Sequence, residues 1–171
     1  MRFKFFQKMI VLKTKEEIEL MRESALIVSK TLGMIAKEIK PGVTTLYLDK
    51  LAEEFIRDHG AEPGFLGMYG FPNSLCMSPN TQIVHGIPND TPLLDGDIIS
   101  VDCGAYKNGF HGDHAYTFEV GEVAPETKEL FRFEDGEFVL YNPIPFDIKT
   151  TNNSLEYAMT SSENLNITLI K

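Results

Sequence analysis

Asn108-Gly109 is the feature that most narrows what this chain can fold into. It separates two runs of strand-like composition, Asp97–Tyr106 and Phe110–Gly121. A two-residue type I′ turn needs positive φ at both central positions, which Asn and Gly supply with little strain. With Lys107 and Phe110 flanking that turn, the register pairs Gly104 with Asp113. Side chains alternate with period two, so Asp102 and Gly104 share a face and Asp113 joins them. The two aspartates are then diagonal neighbours, roughly 7–8 Å apart at the backbone. A cation at about 2.0–2.2 Å from each carboxylate fits between them. A three-residue loop would reverse the parity and place them on opposite faces, and both arrangements stay open at this point.

Converging carboxylates need an offsetting partner. At 4 Å two like charges repel by about 4 kcal/mol even at an effective dielectric of 20. A metal, a shared proton or a nearby cation would relieve this, and the interval offers only Lys107, on the turn. The alternative is that both aspartates stand in water on the outer face. His85 follows Gln82-Ile83-Val84, a run that reads as a short strand (Gln82–His85) ending in Gly86 and Pro88. A lone histidine is more often a satisfied or surface group than a catalyst. His111 and Asp113 form an H-x-D pair with a shared face, which makes His111 a third candidate ligand. His59 and His114 have no partner legible in the sequence and read as structural. Cys76 lies in the apolar strand Ser74–Ser78 and reads as a small buried hydrophobe, while Cys103 should point away from the face of Asp102.

Ahead of these strands lie two helices. Thr14 and Glu17 make a capping-box pattern, and apolar residues recur at Ile18, Met21, Ala25, Val28, Leu32, Ile35 and Ile39. That spacing predicts one long amphipathic helix with this stripe in the core, ended by Pro41-Gly42. Thr44 or Thr45 caps a second helix that buries Leu48, Leu51, Ala52, Phe55 and Ile56, with Gly60 at its stop. Gly60, Gly64, Gly67 and Gly70 with Pro63 and Pro72 then describe a winding connection. Two helices followed by antiparallel strands predict an α+β fold with the helices on one face of the sheet.

Of the 13 glycines only Gly136 lies beyond Lys128, where Ser, Thr and Asn become frequent. Phe138–Tyr141 and Ile167–Ile170 could be strands, but Tyr141–Asn166 has no clear period. Residues 131–171 are thus expected to be an atypical, weakly ordered tail. Residues 1–8 are expected to be a frayed extension ahead of an alternative start at Met9.

Function classes narrow on charge. A net charge of -9 and a pI near 4.9 leave no broad basic face, which argues against nucleic acid and anionic membranes as partners. No apolar run approaches the ~18–20 residues of a membrane span. Two cysteines make no disulfide framework, and no secretory leader is legible, so the cytoplasm is the expected location.

Five segments together resemble type I methionyl aminopeptidase: Lys40–Thr45, Gly67–Ser78, Val84–Pro88, Leu94–Gly104 and Gly109–Asp113. They follow the family's order and spacing from about Met9 to Leu130. The resemblance implies half of a pita-bread fold, in which two related α/β halves enclose a pair of divalent ions (Mn, Fe, Co or Zn). It implies Asp102 and Asp113 as metal ligands and His85 as the group contacting the scissile amide. It implies Phe65, Tyr69, Phe71 and Cys76 as the lining for a methionine side chain. The activity implied is removal of the initiator methionine from a nascent polypeptide. The family takes a further histidine and two glutamates from its C-terminal half, and nothing after Glu129-Leu130 resembles that half. The chain is therefore expected to bind metal weakly or not at all and to be inactive alone. The alternative is a truncated or frame-shifted half-domain serving as a binding module. An uncovered apolar face is expected, with self-association or a complementing chain as its remedy.

Overall fold

A computed structural model describes residues 12–129, together with the backbone of short strands between 133 and 168. The chain divides into two compact units, residues 1–123 and 124–171. The expected N-terminal extension and the order of the tail lie outside the described residues.

In the first unit, helix α1 (Lys15–Glu38) begins where its capping box predicts. The Thr14 N–H donates to Glu17 Oε2 at 2.8 Å, and the Glu17 N–H donates to Thr14 Oγ1 at 3.1 Å. Helix α2 (Thr45–Asp58) starts at Thr44, whose hydroxyl accepts from the Tyr47 N–H, and closes at His59 and Gly60. Among the described residues no helix is long and apolar enough to cross a membrane.

The sheet consists of β1 (Glu62–Pro63), β2 (Leu75–Pro79), β3 (Ile98–Lys107) and β4 (Phe110–Glu119). β3 lies at its centre, antiparallel to β1 and β2 along one edge and to β4 along the other. Asn108 and Gly109 both take positive φ (53° and 84°), Lys107 pairs with Phe110, and Gly104 pairs with Asp113. The two-residue turn therefore holds, and with it the parity that puts both aspartates on one face.

Alternate residues of β3 divide the labour. Ile99, Val101, Cys103 and Ala105 are fully buried among Val28, Leu32 and Ile35 of α1 and Leu48, Ala52 and Ile56 of α2. Both helices therefore lie on that side of the sheet, as α+β patterning predicts.

Two expectations need correction. The buried stripe of α1 holds only in its second half, since Ile18, Met21 and Ala25 are exposed. Ser24 and Ile27 turn inward instead, because Ser24 meets the hairpin: its hydroxyl donates to the carbonyls of Phe110 (3.0 Å) and Lys107 (3.3 Å). At that contact a Cβ on Gly112 would lie 2.5 Å from the Ser24 backbone, so the helix approaches closely only because the strand has no side chain there. Secondly, Gln82–His85 is not a strand. Asn80 and His85 take left-handed conformations (φ 50° and 58°), which end any extended run, and Ile83 and Val84 face solvent. In the second unit β7 (Phe146–Thr151) and β8 (Ser154–Thr160) form a meander with β9 (Asn166–Thr168). That second unit also holds α3 (Pro125–Glu129) and the short hairpin β5 (Phe133–Glu134) with β6 (Glu137–Phe138).

Candidate metal centre and pocket

The face of the sheet opposite the helices carries the polar residues of β3. Asp102 is half-buried there, and Asp113 enters from β4 one register step away, exposed. The two carboxylates lie within hydrogen-bonding reach of each other, and burial first, then the Asp113 charge, holds the Asp102 carboxyl above its usual range. His85 and His114 oppose that shift, so both imidazoles stand near enough to be felt. Asp102 Oδ1 is buried and has no hydrogen-bond partner. A buried, unpaired carboxylate oxygen beside a second carboxylate is destabilising unless a cation or proton joins it.

The donor set therefore fits a hard divalent cation taking oxygen ligands. Among the described residues no third His, Cys, Asp or Glu joins the pair as a ligand group. Cys76 is Asp102's register partner across β2, but burial and the neighbouring carboxylates push its thiol up to about 11, so it stays protonated. Both cysteines are free, and Cys103 points into the helical core as expected.

Beside the carboxylates opens a cavity of ≈ 590 Å³ lined by Phe65, Met68, Tyr69, Gly70, Phe71, Pro72, Cys76, His85, Ile87, Asp102 and Asp113. His85, Asp102, Asp113, Phe65, Tyr69, Phe71 and Cys76, the residues that the family resemblance implies for the site, all line this one cavity. Phe65 lies over Gly104 of β3, where a Cβ would come within 2.7 Å of the ring, so the glycine makes room for an aromatic floor. Tyr69 is fully exposed in a left-handed conformation (φ 49°) at the rim. The loop is tied to α2 by Asp49, which accepts from the backbone N–H groups of Ser74 and Leu75 and from Asn73 Nδ2, all within 2.8–2.9 Å.

Other candidates fall away. His111 stacks on Tyr106 with ring centroids 4.6 Å apart and does not line the cavity, so it is not brought to the aspartates. His59 closes α2, with Nδ1 2.8 Å from the Phe55 carbonyl oxygen, a structural role. His114 lines a shallow groove on the helix side with Tyr116 and Phe118. Reading the sequence missed Met68, Ile87 and Asp49. For Asp49 a signal existed: an acidic residue beside Leu48 on the buried side of α2.

An α+β unit that brings two carboxylates together beside an aromatic pocket is an arrangement suited to metal-assisted hydrolysis. The chain belongs to metallopeptidase family M24, whose model matches residues 19–134. It is 50% identical over 130 residues to the methionine aminopeptidase of Clostridium perfringens, covering 76% of this chain and 52% of that one. It is 49% identical over 122 residues to methionine aminopeptidase 1 of Bacillus subtilis, covering 71% and 49%. The fold matches the crystal structure of methionine aminopeptidase from Rickettsia prowazekii with a TM-score of 0.70 at 40% identity, over 71% of this chain and 49% of the other. An Xaa-Pro dipeptidase from Bacillus anthracis matches with a TM-score of 0.61 at 28% identity, over 70% and 32%. The first unit is thus half of a pita-bread fold, and the chain spans about half the length of the curated relatives it matches.

Proposed function

We propose that this chain carries the N-terminal half of a divalent-metal-dependent aminopeptidase site acting on peptides that begin with methionine. The observation that supports it best is the orphaned Asp102 oxygen beside Asp113, opening into a cavity of aromatic and sulfur-bearing side chains. Asp102 and Asp113 hold the cation. Phe65, Phe71 and Cys76 receive an unbranched thioether, which packs favourably against aromatic edges, and Tyr69 closes the rim. His85, at the cavity wall, hydrogen-bonds the amide to be cleaved. Bound divalent ions supply Lewis-acid activation of water and of the carbonyl.

Two carboxylates alone neither fix a closely spaced ion pair nor present a separate general base. This chain by itself therefore holds manganese, iron, cobalt or zinc weakly and does not turn over. A peptide N-terminus is the partner, nucleic acid and membranes are not, and two free cysteines suit a reducing cytoplasm.

A second reading, a non-catalytic binding module, is favoured by the lack of a third ligand among the described residues. The test is methionine release from a Met-Ala-Ser peptide by the purified chain with manganese, cobalt or iron, beside calorimetric titration of each ion. No release, with weak ion binding abolished by Asp113→Ala, is the expected result. Turnover that disappears in Asp113→Ala would make the chain an enzyme as it stands. Absence of ion binding would favour the binding module.

A further inference from the structure

The segment between Asn80 and Pro88 is tied to β2 at its start, where the Gln82 N–H donates to the Pro79 carbonyl at 3.0 Å, and then again at Gly86. Ile83, Val84 and Ile87 are 76%, 66% and 55% exposed, and Gln82 and His85 are also exposed. Gly86 alone among residues 81–87 is buried. Its N–H donates to Ser78 Oγ at 3.0 Å, and its carbonyl accepts from the Met77 N–H at 2.8 Å. Ser78 is 4% exposed and stands two residues along β2 from Cys76, hence on the face of the sheet that carries the carboxylates. A Cβ on Gly86 would fall 2.0 Å from the Met77 carbonyl oxygen and 2.7 Å from its carbon. Both belong to a buried strand, so the loop would have to lift off.

His85 immediately precedes this contact and holds a left-handed φ of 58°, a conformation of about 1–3 kcal/mol strain that persists only where its surroundings impose it. We propose that Ser78 and Gly86 are positioning residues, a pin that fixes the left-handed turn at His85 and so holds its imidazole beside Asp102 and Asp113. The assignment rests on the reading of those aspartates as a cation site. Asn80, bonded to Asp97 and Ile98, and Gln82, whose N–H donates to the Pro79 carbonyl at 3.0 Å, anchor the other end of the loop.

The test uses nuclear magnetic resonance on the full chain and needs no turnover. In the wild type the Gly86 amide should exchange with solvent slowly and those of residues 83–85 rapidly. Ser78→Ala should speed Gly86 exchange about tenfold, the worth of one buried hydrogen bond, and Ser78→Thr should restore it. Added manganese should broaden the ring protons of His85 and His114. In Ser78→Ala and Gly86→Ala the broadening at His85 should be lost while that at His114 remains. Unchanged His85 broadening in Ser78→Ala, or rapid Gly86 exchange in the wild type, would overturn the pin. If manganese broadens no histidine in the wild type, the cation site falls and the positioning role with it, and persisting Gly86 protection tells that outcome from failure of the pin. Should Gly86→Ala not fold, the two Ser78 variants decide.

Discussion

The two faces of β3 obey opposite rules. On the helix side Ile99, Val101, Cys103 and Ala105 are fully buried, apolar and interlocked with α1 and α2. On the other side Asp102 is half-buried with an unpartnered oxygen, and Gly104 gives its space to Phe65. One strand thus carries both the stability of the unit and its least comfortable group. Period-two alternation is what allows this, because a side chain two residues away contributes to the same face and its nearest neighbour to the other. The difference teaches that the chemistry is carried by a ribbon whose hidden face is overdetermined.

That contrast can be broken most severely from the buried side. Ile99→Ala should lower unfolding stability by about 2–5 kcal/mol, read as a lower urea midpoint with an unchanged slope. Next comes the cation. Manganese at a hundredfold excess over its dissociation constant should raise stability by about 2.7 kcal/mol, and Asp113→Ala should erase the gain, both measurable by thermal melts with and without chelator. Without metal, Asp102→Asn should stabilise by about 1 kcal/mol at pH 7, since it removes a half-buried charge facing another. The sign follows from a folded-state carboxyl raised above its unfolded value by burial and by Asp113. Its contribution is intact below the unfolded pKa of about 3.9 and is lost as pH rises through the higher folded value. The advantage of Asp102→Asn should therefore vanish near pH 3 and grow towards neutrality, in urea melts at several pH values with chelator present. A change touching neither face sets the floor: Thr14→Ala removes the capping box and should lower stability by about 0.5–1 kcal/mol by the same melts.

Legibility in the sequence followed locality. The hairpin register was readable because Asn108-Gly109 admits few turn types, and the register alone placed Asp102 with Asp113. The caps at Thr14 and Thr44 were readable for the same reason, each depending on residues three apart. What could not be read depended on distant partners. Gln82–His85 has the composition of a strand, yet the left-handed turns at Asn80 and His85 are imposed by Asp97, Ile98 and β2. Likewise the inward turn of Ser24 reflects two carbonyls more than eighty residues away, which no helical period contains. Tyr69, Ile83, Val84 and Ile87 are exposed on loops, and Tyr69 and Ile87 line the cavity.

The bond from Ser24 to Phe110 spans 86 residues of sequence. A ribosome adding about 5–20 residues per second takes about 4–17 s to deliver the second partner after the first. A helix winds within about a microsecond. During synthesis the α1 segment therefore winds and unwinds many times, its greasy side unclaimed, before the hairpin that packs on it is made. Whatever shields nascent chains in that interval meets this amphipathic segment before the carboxylate-bearing ribbon that later closes onto it.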